Sequence, residues 1–371
     1  MRATSAFVLA AVLAAALILG SAGQFVDAAP KKRAGAYSSV AEAREAGADF
    51  DIQGEYEGTV GGDDKSKIGV QVIALGDGAF QAVFLPGGLP GAGWDGKGKI
   101  LCGGKLDSRQ LVLAPLTGSR KYLAGSPDQF CATKTFPPQG QKDYTATIQG
   151  GRLTGKTDTG QAVEAKKVER KSPTLGAKPP EGATVLLPFE AGKPPSLEAW
   201  TNPKWKAMDC GCMLIVPRSR GNNTKKSFSG AWRLHVEFKT PFMPKARGQG
   251  RGNSGVFPPG GREIQVLDSF GLDGLANECG GVYKSHDPHP NMCLPPLAWQ
   301  TYDVTYHPPK LGQDGRTLVA PAWYKVDHNG VTIHEKVPLG KGRDGGLSLQ
   351  DHGNPVAYRN IWIVVGGEGK Q

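Results

Sequence analysis

Short runs in which apolar and polar residues alternate recur along this chain, and clusters of Gly, Pro and Asn separate them. Alternation with a period of two places successive side chains on opposite faces of a β-strand. The 371 residues include 53 Gly and 28 Pro, which lie between the apolar runs rather than in one low-complexity tract. Long amphipathic helices are nearly absent. The pattern therefore predicts an all-β protein with many short strands and tight turns.

The length allows two or three domains, and shifts in composition mark their boundaries. Closely spaced strands predict a β-rich N-terminal module over 49–170. The segment 171–182, KSPTLGAKPPEG, has the composition of a linker. About ten further strands with short turns lie over 183–366. They predict a two-sheet sandwich or jelly roll in the C-terminal half.

The first residues have the pattern of a secretory signal. Met1 and Arg2 form a basic start, Ala6–Leu19 is an unbroken apolar run, and small residues follow it. We therefore expect residues 1–28 to be removed on export and the mature protein to be secreted, periplasmic or at the cell surface. No other run is long enough to cross a bilayer, so no stable membrane span is expected after cleavage.

Basic residues outnumber acidic ones, which gives a formal net charge of +10. The basic residues are scattered in short groups and no nucleic-acid-binding motif accompanies them, so nucleic acid is not expected as a partner. One such group opens the segment 29–48. In this segment Ser39 and Glu42 have the spacing of a capping box, which predicts a short helix.

The six cysteines are even in number, as expected for an exported protein with disulfides. Cys102 and Cys131 stand alone in the N-terminal half and are expected to pair. Cys279 and Cys293 flank a loop and are expected to pair as well, with bridges to the two members of Cys210–Cys212 as the alternative. Those two members are too close in sequence for an easy bridge within one strand. No Cys-x-x-Cys pair supports a zinc site.

The stretch 250–269 is the leading candidate for a functional surface. Two apolar runs flank the turn 258–261, Pro-Pro-Gly-Gly, which predicts a β-hairpin. In its second strand Ile264 and Val266 face one way, while Glu263 and Gln265 face the other. Such a polar face can line a solvated concave surface, where carboxylates suit sugar chemistry or metal binding. An ordinary solvent-facing sheet surface is the alternative.

Two other segments carry candidate side chains. Glu237 lies on the polar face of the alternating strand 232–239. If this strand lies beside the hairpin, Glu237 becomes a second carboxylate of the site, and otherwise it forms a cross-strand salt bridge. His352 lies in a Gly-flanked loop and is a candidate general base near neutral pH, with Asp351 as a partner that orients it.

Several motifs occur in order along the C-terminal half, and together they resemble the 3-keto-disaccharide hydrolase domain family, long known only as a domain of unknown function. They are LHVEF at 234–238, GNSGV at 252–256, EIQVLDS at 263–269, WQTYD at 299–303, HNGV at 328–331, LQDHGN at 349–354 and YRNIW at 358–362. The resemblance spans roughly 183–366. It implies a concanavalin A-like two-sheet jelly roll, preceded here by a β-rich module similar to that of exported planctomycete members.

The resemblance also implies an enzyme whose substrate is a 3-keto-disaccharide or 3-keto-glycoside. The ketone acidifies the proton on C2, so a base can remove it, the leaving sugar departs from C1, and water then adds. Direct hydrolysis by two carboxylates is the alternative mechanism. A non-catalytic carbohydrate-binding protein and a cell-surface structural protein are the alternative functions on the same fold.

Residue roles follow from this interpretation. The expected catalytic residues are Glu263, His352 and Glu237. The expected substrate-binding residues are Gln265, Asn253, Asp268, Lys284, Gln350, Arg359 and Asn360. A divalent cation that holds the enolate is expected on Glu263 and Asp268. Strict alternation places Asp268 on the opposite face from Glu263, so a bulge or the strand end must re-aim it, and a structural turn cap is the alternative.

Overall fold

β-Strands dominate the computed structural model, which describes residues 35–62 and 65–366, and the predicted all-β class is confirmed. The predicted signal peptide, 1–28, lies outside the described residues. Two short helices precede the first strand, α1 (Val40–Glu45) and α2 (Asp49–Ile52). Ser39 caps α1 by accepting the N–H of Glu42 at 3.3 Å, which confirms the predicted helix. Among the described residues, no helix has the length and apolar character needed to cross a membrane.

The N-terminal strands form a closed barrel. The strands of this half are β1 (Gly54–Val60), β2 (Ser66–Gly76), β3 (Ala79–Pro86), β4 (Ile100–Asp107), β5 (Gln110–Pro115), β6 (Lys121–Tyr122), β7 (Phe130–Cys131), β8 (Thr145–Gln149), β9 (Arg152–Lys156) and β10 (Ala162–Val168). β6 and β7 form a separate parallel pair, and the other eight close through pairing of β1 with β10. Closure satisfies the edge strands that an open sheet would expose.

Most of the C-terminal strands form two facing sheets. The strands of this half are β11 (Thr184–Leu187), β12 (Lys206–Met208), β13 (Cys212–Leu214), β14 (Asn222–Asn223), β15 (Trp232–Lys239), β16 (Ser254–Phe257), β17 (Ile264–Val266), β18 (Gln300–His307), β19 (Lys310–Leu311), β20 (Leu318–Ala320), β21 (Trp323–His328), β22 (Val331–Pro338), β23 (Ser348–Leu349) and β24 (Ala357–Val365). β19 and β20 pair with each other in a separate small sheet. The larger sheet has the order β12-β13-β24-β15-β18-β21-β22, with β11 on β24, and the smaller sheet has the order β14-β23-β16-β17.

Apolar side chains from the facing sides of the two sheets form the core of the sandwich. Val236 and Tyr302 of the larger sheet are buried in one cluster with Val256, Ile264 and Leu349 of the smaller sheet. Because side chains alternate along a strand, their neighbours point away from this core. Each sheet therefore has an outer face, and the two outer faces lie on opposite sides of the sandwich.

The barrel packs directly on the sandwich. Ile73 and Leu75 of β2 belong to the same apolar cluster as Phe270, whereas Val72 and Ala74 line the interior of the barrel. Because both faces of β2 are covered, its residues are buried from position 68 to position 76. The two modules therefore share a continuous core.

The predicted linker is not a loose connection. Residues 172–177, which we call the strap, lie against the outer face of the larger sheet. Three hydrogen bonds of 2.6 Å hold them there. The bonds join Ser172 to Thr301, Thr174 to Asp303, and the N–H of Gly176 to Glu237. The composition of the segment is that of a linker, but its polar groups hydrogen-bond to side chains of the larger sheet, and composition does not reveal these partners.

The pairing of the cysteines differs from the prediction. Cys210 and Cys212 form a disulfide, while Cys102, Cys131, Cys279 and Cys293 are free and buried. The predicted Cys102–Cys131 and Cys279–Cys293 bridges were therefore wrong. The objection to a Cys210–Cys212 bridge assumed an extended strand. Instead, Gly211 has φ +81° in the turn between β12 and β13, and this turn brings the two neighbours together.

Candidate functional site

Glu263 immediately precedes β17, and its side chain lies on the outer face of the smaller sheet. Ile264 and Val266 point into the sandwich core, as the hairpin pattern predicts. The carboxylate lies over Gly255 of β16, because a Cβ built on Gly255 would come within 2.2 Å of Glu263 Oε1. The missing side chain of Gly255 therefore provides the space that the carboxylate occupies.

The Glu263 carboxylate is half-buried, and within the described ranges no hydrogen bond or ion pair reaches it. Burial raises the pKa of this carboxyl to about 7. A carboxyl group with a pKa near neutrality takes up and releases a proton under physiological conditions. Glu263 therefore has the properties of a general base.

Three amide side chains occupy the same face around Gly255. Gln265 is opposite Gly255 across the β16–β17 pairing, and the N–H of Gln350 donates to the Gly255 carbonyl at 2.9 Å from the other side. The third is Asn253, which immediately precedes β16. Their oxygen atoms, Asn253 Oδ1, Gln265 Oε1 and Gln350 Oε1, are buried and accept no hydrogen bond from the described residues. Buried acceptors without donors are unfavourable, which indicates a place where a ligand or water donates.

The predicted solvated surface is thus only partly open. Asn253 and Gln265 are 0% and 1% exposed, while Glu263 is half-buried. Gln249, in the 3₁₀ turn Gly248–Gly250, covers Asn253 and Gln265 and hydrogen-bonds to both. Gln249 was not predicted, since an isolated Gln between glycines carries no pattern.

The segment after the hairpin extends the smaller sheet at the edge of β17. Val282 forms a β-bridge with Ile264, and the N–H of Tyr283 donates to the Glu263 carbonyl at 3.0 Å. Tyr283 therefore lies opposite Glu263. Lys284 follows, exposed, with its Nζ 5.3 Å from the centre of the Tyr283 ring. This edge contact was not predicted, because 277–296 lacks the alternation of a strand.

His352 is exposed in the loop that follows Gln350. Asp351 does not orient it. Asp351 instead accepts the N–H groups of Ser219 at 2.6 Å, Arg220 at 3.1 Å and Gly353 at 2.8 Å. These bonds fix the loop on which His352 stands, so the contribution of Asp351 is to the backbone and not to the imidazole.

Glu237 lies in a different place from Glu263. The prediction of a second carboxylate depended on β15 lying beside the hairpin, but β15 belongs to the larger sheet, between β24 and β18. Glu237 lies on the outer face of that sheet and is fully buried beneath the strap. The structure therefore does not bring Glu237 and Glu263 together.

A β-bulge in β24 directs both Arg359 and Asn360 towards Glu237. The β15–β24 register shifts at this point, and Asn360 has φ +44°. Arg359 Nε donates to Glu237 Oε2 at 2.7 Å, and Asn360 Nδ2 donates to Oε1 at 2.8 Å. Arg359 also packs between the rings of Phe189 and Trp299. These two predicted substrate contacts are therefore engaged on the outer face of the larger sheet, away from Glu263.

The charges around Glu237 compensate one another. Burial opposes ionisation of Glu237, but hydrogen bonds from His235, Asn360, Arg359 and the Gly176 N–H outweigh it and lower its pKa to about 2. Burial likewise opposes the charge on His235, but hydrogen bonds with Asp303 and Glu237 outweigh it and raise the pKa of His235 to about 9. Both groups are therefore ionised and paired at neutral pH, as in a structural network.

Asp268 is buried and bonded to Arg251 instead of facing Glu263. Arg251 Nε donates to Asp268 Oδ2 at 2.6 Å, and Arg251 also donates to the Ala74 carbonyl of the barrel at 3.1 Å. No bulge re-aims Asp268, so the predicted cation site on Glu263 and Asp268 does not fit. Within 35–62 and 65–366, no group of three or more His, Cys, Asp or Glu side chains is arranged to hold a metal ion.

Three solved structures from Parabacteroides distasonis, each named as a candidate glycosyl hydrolase, resemble half of this chain. The first is 28% identical, covers 50% of this chain and 85% of its own, and has a TM-score of 0.43. The second is 19% identical, with 50% and 95% coverage and a TM-score of 0.36. The third is 20% identical, with 50% and 99% coverage and a TM-score of 0.35. No curated protein matches this chain.

The fold and the polar outer face define a two-sheet β-sandwich domain with a candidate site around one glutamate. Residues 182–364 match the sequence model of the 3-keto-alpha-glucoside-1,2-lyase-like domain. The C-terminal domain therefore belongs to this domain family, which confirms the resemblance found in the sequence.

Proposed function

We propose that the protein is an exported, carbohydrate-active enzyme that cleaves 3-keto-glycosides by elimination followed by hydration. The observation that carries the proposal is the Glu263 carboxylate, which has no partner in the described chain, has a pKa of about 7, and lies among buried amide oxygens that lack donors. Membership of the 3-keto-alpha-glucoside-1,2-lyase-like family supports the choice of a 3-keto substrate.

In the proposed reaction, Glu263 removes the proton from C2 of the keto sugar. The electrons of the C2–H bond form an enolate with the C3 carbonyl, and return of the carbonyl expels the glycosidic oxygen from C1. His352 protonates the leaving oxygen. Water then adds its oxygen to C1 after His352 takes its proton, and Glu263 returns its own proton to C2. The sum is hydrolysis, and both residues end in their starting states.

The amide oxygens supply binding and orientation. Asn253, Gln265 and Gln350 accept hydrogen bonds from sugar hydroxyls, which satisfies atoms that are otherwise buried without donors. Lys284, at the exposed edge beside Tyr283, contacts the sugar from the rim. Hydrolysis by a pair of carboxylates is less well supported, because Glu237 and Asp268 are both engaged elsewhere.

The test is to incubate the purified protein with 3-keto-trehalose, 3-keto-lactose and their unoxidised parents and to measure release of 3-keto-glucose. Glu263→Gln is expected to lower turnover of the keto-sugars by about 10²- to 10⁴-fold, the usual contribution of a general base. Glu335→Gln, at an exposed glutamate of β22, is the matched control and is expected to retain full turnover.

Two outcomes would contradict the proposal. Sugar binding without turnover of any keto-sugar would identify a carbohydrate-binding protein instead. Equal cleavage of the keto-sugars and their parents would indicate a mechanism that does not use the acidity of C2.

A further inference from the structure

Gln249 has a side-chain orientation that its surroundings determine. Gln249 Nε2 lies 2.6 Å from the Asn277 carbonyl oxygen. A carbonyl only accepts hydrogen bonds, so the amide nitrogen of Gln249 must point towards it. The Oε1 atom of Gln249 must then point the other way, where it serves as an acceptor.

The orientations of Asn253 and Gln265 follow from that of Gln249. Asn253 Nδ2 lies 2.9 Å from the Gln249 carbonyl and 3.1 Å from Gln249 Oε1, and Gln265 Nε2 lies 3.1 Å from the same Oε1. Each of these partners is an acceptor, so both nitrogens must be placed as described. The oxygen atoms of both amides are therefore directed away from Gln249, and these are the buried oxygens without donors.

The outer face consequently presents acceptors around Glu263. Gln350 Oε1 adds a third amide oxygen, and the Glu263 carboxylate is itself an acceptor when ionised. A hydroxyl group of a neutral sugar can donate to such atoms. A carboxylate or phosphate on a ligand cannot, and it would place a second negative charge beside Glu263.

We propose that Gln249 is a positioning residue that fixes the oxygens of Asn253 and Gln265 towards the ligand, so that this face selects uncharged, hydroxyl-donating sugars over acidic ones. The inference rests on the proposed function and narrows its substrate class. Two cations lie at the same exposed edge, but Arg262 donates to Ser285 Oγ at 2.9 Å and Lys284 lies over the Tyr283 ring. Neither cation therefore donates a hydrogen bond to the buried amide oxygens.

The test measures binding, by calorimetry at pH 7, of methyl α-D-glucopyranoside and methyl α-D-glucopyranosiduronate to the full-length protein. The wild type is expected to bind the neutral glycoside at least about 10-fold more tightly, since the acidic one has one hydroxyl donor fewer and brings a negative charge beside Glu263. Gln249→Met keeps the side-chain length and removes both amide functions. The substitution is expected to weaken binding of the neutral glycoside about 5- to 10-fold and to reduce the ratio of the affinities for the two glycosides.

Gln161→Met, at an exposed barrel position, is the matched control and is expected to change neither affinity. With a keto-glycoside as substrate, Gln249→Met is expected to raise KM while kcat stays within about 2-fold, because Gln249 does not reach the reacting atoms. A merely structural role would instead lower the melting temperature and kcat together.

Equal affinity of the wild type for the two glycosides, no binding of either one, or unchanged affinity in Gln249→Met would each overturn the inference. Failure of this inference can be distinguished from failure of the proposed function. Turnover of keto-glycosides without selective binding would refute the role of Gln249 and leave the enzyme in place. Selective binding without turnover would support the role of Gln249 and refute the proposed enzyme activity.

Discussion

Glu263 and Glu237 are two glutamates of one sandwich, and they differ in almost every physical respect. Glu263 lies on the outer face of the smaller sheet, half-buried and without a partner in the described chain, and its pKa is raised. Glu237 lies on the outer face of the larger sheet, fully buried with four hydrogen-bond partners, and its pKa is lowered. The strand pattern made Glu263 the leading candidate and Glu237 a second carboxylate if its strand lay beside the hairpin. Their partners separate a group that can exchange a proton from one that holds the fold together.

The comparison also shows what a buried polar group needs. Around Glu237 every charge has an opposite charge or a donor, so the network is complete without a ligand. Around Glu263 the carboxylate and three amide oxygens lack donors from the described residues, so the network is incomplete. An incomplete network is unfavourable for folding and is therefore a stronger indication of a binding site than the residue types alone.

The largest effect is expected on stability, from Glu237→Gln. The substitution removes one charge of a buried network, which leaves Arg359 without its counter-ion and His235 with Asp303 alone, and it should cost about 3–5 kcal/mol of unfolding free energy. Urea denaturation measures the loss. Glu263→Gln serves as the comparison and should keep its stability at pH 7, since it removes a carboxylate that burial already disfavours. A Glu237→Gln variant with normal stability and no turnover would reverse the roles assigned to the two residues.

The next effect is expected on turnover, from Gly255→Ala. The added Cβ would lie 2.2 Å from Glu263 Oε1, so the carboxylate must move, while the backbone of Gly255 is outside the left-handed region and accepts alanine. A displacement of this size should lower kcat roughly 10- to 100-fold. The matched control is Gly125→Ala, since nothing lies within 4 Å of a Cβ at that position. An unchanged kcat in Gly255→Ala would show that Glu263 does not take part in the chemical step.

The smallest effect is a pH dependence. Because Glu263 acts as a base with a pKa of about 7, kcat/KM should rise through neutral pH and fall about 5-fold between pH 7 and pH 6. The rate profile on a keto-glycoside measures this, and a profile that is flat between pH 6 and pH 8 would contradict the role of Glu263.

The same two pKa shifts give opposite signs for stability. The raised pKa of Glu263 contributes stability below the ordinary value of 4.5, and that contribution is lost as the pH rises from 4.5 to about 7. The lowered pKa of Glu237 contributes stability above 4.5, and that contribution is lost as the pH falls towards about 2. We therefore expect the unfolding midpoint of Glu263→Gln to depend less on pH than that of the wild type between pH 4.5 and about 7. The midpoint of Glu237→Gln should depend less on pH between about 2 and 4.5.

Local pattern was sufficient for the hairpin and its faces. Alternation placed Ile264 and Val266 in the core and Glu263 on the outer face, and the Pro-Pro-Gly-Gly turn separated the two strands correctly. The turn between β21 and β22 is likewise local, because Asn329 and Gly330 are a residue pair typical of tight hairpins and both have the positive φ that such a turn requires. These features depend on residues that are neighbours in sequence, so the sequence alone is sufficient to predict them.

Other features depend on pairings between distant residues. The sheet to which β15 belongs is decided by its bonds to β18 and β24, more than 60 residues away, so the separation of Glu237 from Glu263 has no local signal. The bulge at Asn360 and the edge pairing of Tyr283 arise in the same way. Gln249 acquires a role only because Asn277 lies within reach of its amide.

The strap has a consequence for how this protein is divided. The region that matches the family begins at residue 182, after the strap, whereas the groups that the strap covers lie inside that region. A fragment that started at the family boundary would open Glu237 and Asp303 to water and would also lose the barrel side of a shared core. In this protein, the fragment that keeps both the covered carboxylates and the shared core is therefore the barrel, the strap and the sandwich together.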